Sequence, residues 1–294
     1  MSRGIVLAGG SGTRLHPATI AVSKQLLPIY DKPMIHYPLS TLMLAGIREI
    51  LVISTPHDTP RFKKALGDGS QWGINLEYAV QTEPRGLADA FIVGEKFIGD
   101  QACALVLGDN VIYGGAHMEF IHQVAERDDG ATIFAYRVSD PERYGVVVLS
   151  EDGKPLRLVE KPTEHISDLA ITGIYFYDHN VVSYAKSLRP SKRGELEITD
   201  LNKIYLQNGK LHVAMLGRGV AWLDTGTPDA LLEASQFVST IEKRQGLMIA
   251  CLEEVAYRMN YISKVELEKL AASYNNDKYR NYLYSIAERR KTKR

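Results

Sequence analysis

The sequence predicts an α/β fold, with a mostly parallel central sheet flanked by helices, a β-rich insertion and a helical C-terminal tail. Three observations predict it. Short apolar runs at 5–8, 50–54 and 102–107 are separated by helical patterns, and strand–helix–strand units pair in parallel through right-handed crossovers. Between 135 and 220 the alternation gives way to successive β-rich runs, and beyond 246 the pattern is helical.

The elements follow in order. Ile5-Val6-Leu7-Ala8 is a buried strand running into Gly9-Gly10-Ser11-Gly12-Thr13-Arg14. Met34, Tyr37, Pro38, Thr41, Leu42 and Ala45 recur near helical spacing, and Gly46 stops that helix. Residues 50–54 form the next strand. Ile74, Leu76, Tyr78 and Val80 alternate with Asn75, Glu77 and Ala79, giving a half-buried strand that ends at Gln81. A helix is expected to start within 85–90. The run 102–107 delivers Gly108-Asp109-Asn110 at its carboxyl end. A helix over 117–127 precedes a strand over 131–138. Asp152-Gly153 between the runs 144–149 and 156–161 signals a hairpin. A strand at 170–177 and a helix ending at Asn208-Gly209 come next. A short strand over 220–226 carries Asp224, and Thr227-Pro228 opens a helix. In the tail, Ser263-x-x-Glu266 reads as a capping box, with Leu267, Leu270, Ala271 and Tyr274 on one face.

Composition excludes several classes. The 294 residues carry 35 basic and 35 acidic side chains, so a general nucleic-acid or membrane-surface binder is not expected. No apolar run approaches a membrane span and the N-terminus reads as strand, which predicts a cytoplasmic protein. Cys103 and Cys251 stand far apart and read as two buried thiols. His117 and His122 share a helix at poor ligand spacing.

The glycine run is the strongest chemical signal. Backbone amides of such a loop can approach phosphate oxygens, and Arg14 adds a fork of donors. It is neither a Walker A loop, which needs a following Lys, nor a complete Gly-x-Gly-x-x-Gly, since position 15 is Leu. Ligands bind beyond the carboxyl ends of parallel strands, so Asp109 faces the same rim. An aspartate there suits Mg²⁺, which takes one or two carboxylates plus substrate phosphates. Asp224 is a second rim carboxylate.

Leu-Ala-Gly-Gly-x-Gly-Thr-Arg-Leu over 7–15, with Ser23-Lys24-Gln25-Leu26-Leu27-Pro28 and the Leu-Val-Leu-Gly-Asp-Asn run ending at Asn110, closely resembles the sugar-1-phosphate nucleotidylyltransferases. Within them it looks most like the glucose-1-phosphate thymidylyltransferases, over nearly the whole chain. The resemblance implies a Rossmann-like sheet and one nucleotidyltransferase unit over 1–240. Its 1–134 half would be mainly nucleotide-binding and 135–226 mainly sugar-phosphate-binding, with 241–294 a helical extension for packing or assembly.

It also implies roles. Leu7, Gly9, Gly10, Ser11, Gly12, Thr13 and Arg14 would hold the nucleotide, with Arg14 on the leaving pyrophosphate. Lys24 would stabilise the triphosphate, Gln25, Gln81 and Gly86 would line the base pocket, and Asp109 and Asp224 would carry Mg²⁺. Tyr144, Gly145, Glu160 and Tyr175, with Ile171, would contact the sugar, while Lys161 and Arg193 would grip its phosphate. The expected partners are dTTP and glucose 1-phosphate, giving dTDP-glucose on the way to dTDP-L-rhamnose and related deoxysugars. A homotetramer with a regulatory site for dTDP-sugars is implied, with Gly115, His117, Glu119, Arg218 and Arg258 as candidates. Rival readings are a uridylyl- or adenylyltransferase, a non-catalytic regulatory subunit of the same fold, and a nicotinamide-dependent oxidoreductase, which the incomplete glycine pattern disfavours.

Overall fold

A computed structural model describes residues 2–10, 12–114, 117–127 and 129–289. Four parallel strands form the centre: Arg3–Ala8, Glu49–Ser54, Asn75–Val80 and Cys103–Leu107. Ile5, Val6, Leu7 and Ala8 are buried on both faces of the sheet, as a strand covered by two helical layers requires. Helices His36–Leu44 and Thr59–Leu66 supply the first two crossovers, and the short helices Asp89–Val93 and Glu95–Ile98 the third.

Beyond Cys103–Leu107 the sheet turns antiparallel. Leu169–Tyr177 pairs with it, then with the Gly145–Leu149/Pro155–Glu160 hairpin and with Ala131–Arg137, to which Leu211–Met215 adds in parallel. The hairpin turn has Gly153 at φ 80°, the left-handed conformation expected of Asp-Gly. One sheet of nine strands therefore runs through both halves.

Register fixes the functional rim. Ala8 lies opposite Ser54, Ser54 opposite Val80, and Leu7 opposite Leu107, so Gly9, Gln81 and Gly108 leave the sheet on one edge. One expectation changes. The alternation at 74–80 holds at the buried Ile74 and Leu76 but fails at Val80, which is 41% exposed because this strand is the sheet edge. The helix expected to start within 85–90 begins at Asp89, and the loop before it is engaged elsewhere: Leu196 N donates to Arg85 O (2.7 Å) and Ala88 N to Leu196 O (3.2 Å).

The tail helices Leu252–Arg258, Lys264–Ser273 and Asp277–Glu288 pack into the same core as the first strand and the His36–Leu44 helix. The capping box at Ser263 and Glu266 is formed, and both cysteines are free and buried. Among the described residues no helix is long and apolar enough to cross a membrane.

Glu253 fastens the tail. Fully buried, it accepts hydrogen bonds from Trp72 Nε1 (3.1 Å), Tyr274 OH (2.6 Å) and Tyr279 OH (2.7 Å). Burial alone would raise its pKa, but these donors outweigh it and hold the carboxyl below its ordinary value. Glu253→Ala leaves buried donors without an acceptor, an expected loss of roughly 2–4 kcal/mol read from the urea midpoint. A depressed native pKa stabilises above the unfolded value and is lost as pH falls through the native one. The gap between wild type and variant should therefore narrow below about pH 4.

Candidate active site

The first strand ends in a loop that only glycine tolerates at two points, Gly10 at φ 99° and Gly12 at φ 60°. Thr19 Oγ1 donates to Gly12 O at 2.8 Å, and a one-turn helix Thr13–Leu15 follows, with Leu15 buried as its anchor. That turn projects Arg14 towards the strand end at Asp224. A Cβ on Gly226 would meet the Arg14 guanidinium at 2.8 Å and the Asp224 carboxylate at 3.3 Å, so glycine at 226 makes room for both.

The two aspartates are brought together by backbone pairing. Asn110–Tyr113 runs antiparallel to Ala221–Asp224, with Asp224 opposite Asn110. Thr225 Oγ1 donates to Asp109 O at 2.8 Å and closes the pair. Asn110 braces it from behind: its Oδ1 accepts from Trp222 Nε1 (2.6 Å) and Gly173 N (3.0 Å), while its Nδ2 donates to Asp109 Oδ1 (3.3 Å). At 173 a Cβ would lie 2.7 Å from the Asn110 amide.

Both carboxylates are mostly buried, and their environments differ. Burial would raise Asp109, but the ion pair and hydrogen bond with Lys24 outweigh it and hold the carboxyl below its ordinary range. Asp224 is pushed up by burial and then by the charge of Asp109, with Lys24, Arg14 and Arg143 only partly offsetting this. Two like charges thus face one rim with cations gathered around them, a place where positive charge is favoured.

A cavity of about 220 Å³ opens beside them, lined by Leu7, Gly9, Gly10, Lys24, Gln25, Gln81, Gly86 and Asp109, together with Pro84, Leu87, Leu107 and Glu195. The buried Gln25 accepts from Ser23 Oγ at 2.5 Å. Gln81 Nε2 donates to Asp89 Oδ2 (2.9 Å) and Gly86 O (3.3 Å), which turns its Oε1 towards Gly9 as an acceptor. Gly86 has φ 101°, and a Cβ there would strike Leu196 O at 2.5 Å.

The hairpin register assembles the second group. Gly145 lies opposite Glu160, and Lys161 N donates to Tyr144 O at 3.0 Å. Glu160 Oε2 accepts from Thr199 Oγ1 at 2.6 Å, and both flank Gly145. Ile171 is buried 3.8 Å from where a Gly145 Cβ would stand. Tyr175 is buried in the same core, stacked on Tyr177. Lys161 is exposed at φ 42°. Arg193 Nη2 reaches Glu197 at 2.9 Å, Glu195 at 3.7 Å and Glu160 at 4.0 Å.

Ser11 and Gly115 lie outside the described residues, as do the side chains of His117 and Glu119. Arg258 donates to Glu254 at 2.6 Å and lines a separate cavity of about 190 Å³ with Tyr113, Gly114 and Gln245. The exposed Arg218 precedes Gly219, whose carbonyl lies 2.9 Å from a Cβ built on Gly114. Sequence reasoning did not single out Asn110, Arg143, Glu195, Glu197, Thr199 or Trp222. Asn110 alone had a signal, its place beside Asp109 in the strand-end motif.

A family model for nucleotidyl transferases matches residues 3–241. The glucose-1-phosphate thymidylyltransferase of Neisseria meningitidis serogroup A is 55% identical over 98% of this chain and 100% of its own. That of Mycolicibacterium smegmatis is 54% identical over 98% of this chain and 99% of its own. A crystal structure from Bacillus anthracis, assigned as a glucose-1-phosphate thymidylyltransferase, superposes with a TM-score of 0.75 at 37% identity, covering 81% of this chain and 95% of that one. A UDP-glucose pyrophosphorylase complexed with UDP-glucose shares the fold, with a TM-score of 0.70 at 23% identity, covering 83% and 100% of the two chains. The chain belongs to the nucleotidyl transferase family, in the branch of the glucose-1-phosphate thymidylyltransferases.

Proposed function

We propose that this chain transfers the thymidylyl group of dTTP to glucose 1-phosphate, forming dTDP-glucose and diphosphate. The observation that carries the reading is the paired Asp109 and Asp224, ringed by Lys24 and Arg14, between a pocket that suits a nucleobase and a hairpin that suits a sugar.

A sugar 1-phosphate is doubly ionised at neutral pH, its second pKa being about 6, so its oxygen attacks the α-phosphorus without a general base. The obstacle is repulsion between two anions, and the protein's work is positioning and neutralisation. Backbone amides of the 9–13 loop and Arg14 would hold the triphosphate, with Arg14 on the departing diphosphate. Lys161 and Arg193 would hold the sugar phosphate, Arg193 being aimed by Glu197. Tyr144, Gly145, Glu160, Ile171 and Tyr175 would shape the sugar pocket.

The donor set fits Mg²⁺. It consists of two hard carboxylates, and among the described residues no group of three or more His, Cys, Asp or Glu forms a closed cage. When bound, the ion supplies charge neutralisation at the phosphates. Gln81 supports a choice of base. Its amide nitrogen is committed to Asp89 and Gly86, so its oxygen meets an imide N–H, which thymine and uracil have and cytosine and adenine lack at that position. The Arg258 cavity is the proposed regulatory site for dTDP-sugars, in a homotetramer.

Diphosphate release assayed with each nucleoside triphosphate and glucose 1-phosphate should be fastest with dTTP, measurable with UTP and at least ~10-fold slower with ATP or CTP. No release with any pair removes the catalytic reading. Asp224→Ala should lower turnover by roughly 10²–10³-fold with an unchanged melting curve. A near-normal rate would exclude the paired-aspartate site. Inhibition by a dTDP-sugar should keep a component that excess dTTP does not relieve, and Arg258→Ala should lose that component while retaining turnover.

A further inference from the structure

Arg143 belongs to none of the groups that hold substrate in the reading above, yet it faces the paired aspartates. It ends the one-turn helix Pro141–Arg143 and is oriented from two sides: Nη1 donates to Asp140 Oδ2 at 2.7 Å, and the guanidinium lies 5.4 Å from the centre of the Tyr144 ring. Tyr144 in turn packs on Trp222 at 5.0 Å, in the strand that carries Asp224. The second nitrogen of the fork, Nη2, is 4.0 Å from Asp224 Oδ2. Lys24 pairs with Asp109, and Asp224 is offset by Lys24, Arg14 and Arg143 together, with Arg143 reaching one of its oxygens at 4.0 Å. The arrangement is not fixed by close packing. Arg143 is 43% exposed and borders a cavity of about 300 Å³ shared with Asp140, Tyr144, Trp222 and Asp224, which leaves the side chain room to withdraw.

We propose that Arg143 is a positioning residue for Asp224 and competes with the divalent ion for that carboxylate. Held from Asp140 and Tyr144, it compensates the Asp224 charge in the unloaded site. The same charge opposes a second cation at the same oxygen atoms, and this opposition is the price of keeping a buried carboxylate compensated. The inference rests on the reading that Asp109 and Asp224 hold the ion, and the sign of its effect is opposite to that of a merely supporting residue: removing the charge should tighten metal binding.

The test is Mn²⁺ titration of the ligand-free protein, with free ion followed by electron paramagnetic resonance. The wild type is compared with Arg143→Gln, Arg143→Lys and Asp224→Asn, each checked for an unchanged melting curve. Arg143→Gln should bind Mn²⁺ roughly 3- to 10-fold more tightly, as expected for one full charge removed a few ångströms away at partial exposure. Arg143→Lys, which keeps the charge, should stay near the wild-type value. Equal or weaker binding by Arg143→Gln overturns the competition while leaving the paired-aspartate site in place, provided Asp224→Asn binds less well than wild type. Asp224→Asn binding as tightly as wild type removes the shared carboxylate and both readings with it, whereas wild type binding none in the absence of phosphates overturns the competition alone.

Discussion

The structure depends on one electrostatic conflict. The backbone pairing of Asn110–Tyr113 with Ala221–Asp224 places two carboxylates at one rim, and burial denies them the water that would screen them. Neither aspartate is accidental there. Asp109 is fixed through Asn110 and Thr225, Asp224 by its register, and the glycines at 173 and 226 have no side chain because the braces and Arg14 occupy that space. A fold that holds like charges this firmly has a use for a positive partner between them and for anionic substrates beside them.

The rest of the chain supplies basic side chains from separate segments. Lys24 and Arg14 arrive in the segment that leaves the first strand, whereas Arg193 precedes the Ile198–Gln207 helix and is held by Glu197, Glu195 and Glu160. The two sides are joined: Leu196 is hydrogen-bonded to the backbone at Arg85 and Ala88, in the wall of the 220 Å³ cavity, and Gly86 adopts φ 101° to allow that approach. The glycine-loop cavity and the hairpin group, built on separate elements, are thus tied by backbone hydrogen bonds between Leu196 and the 85–88 segment, and under the proposed function this would hold nucleotide and sugar phosphate in fixed relative placement.

Legibility in the sequence followed the range of the interactions. The parallel strands, the Asp-Gly hairpin and the Ser263 capping box were readable because each depends on residues adjacent in the chain. Asp109 was readable because a strand and its end motif are local. The pairing that sets Asp224 beside it was not, since it joins residues over a hundred positions apart and the strands are only four residues long. Thr199, Glu197 and Trp222 carry ordinary side chains whose meaning comes from Glu160, Arg193 and Asn110. The helix start within 85–90 was readable for the same local reason, while its exact place at Asp89 follows from Leu196, which claims the backbone of Arg85 and Ala88 from over a hundred positions away.

That asymmetry bears on what can vary in such a site. The loop after the first strand and the segment before Asp89 are constrained by backbone geometry, with positive-φ glycines at 10 and 12 in the one and at 86 in the other that no other residue replaces without strain. The sugar side is built from side-chain pairs on a hairpin and a helix start, where Glu160, Thr199 and Ile171 set the shape by contact rather than by dihedral angle. Backbone-made recognition suits the part of the substrate that is invariant, a polyphosphate. Side-chain-made recognition suits a neutral, hydroxyl-rich group, which a carboxylate–hydroxyl pair holds by contact. Lys161, at φ 42°, is the neighbour that a change here must spare, and exchanging the Glu160–Thr199 pair alters a side-chain contact while the aspartate rim stays as it is.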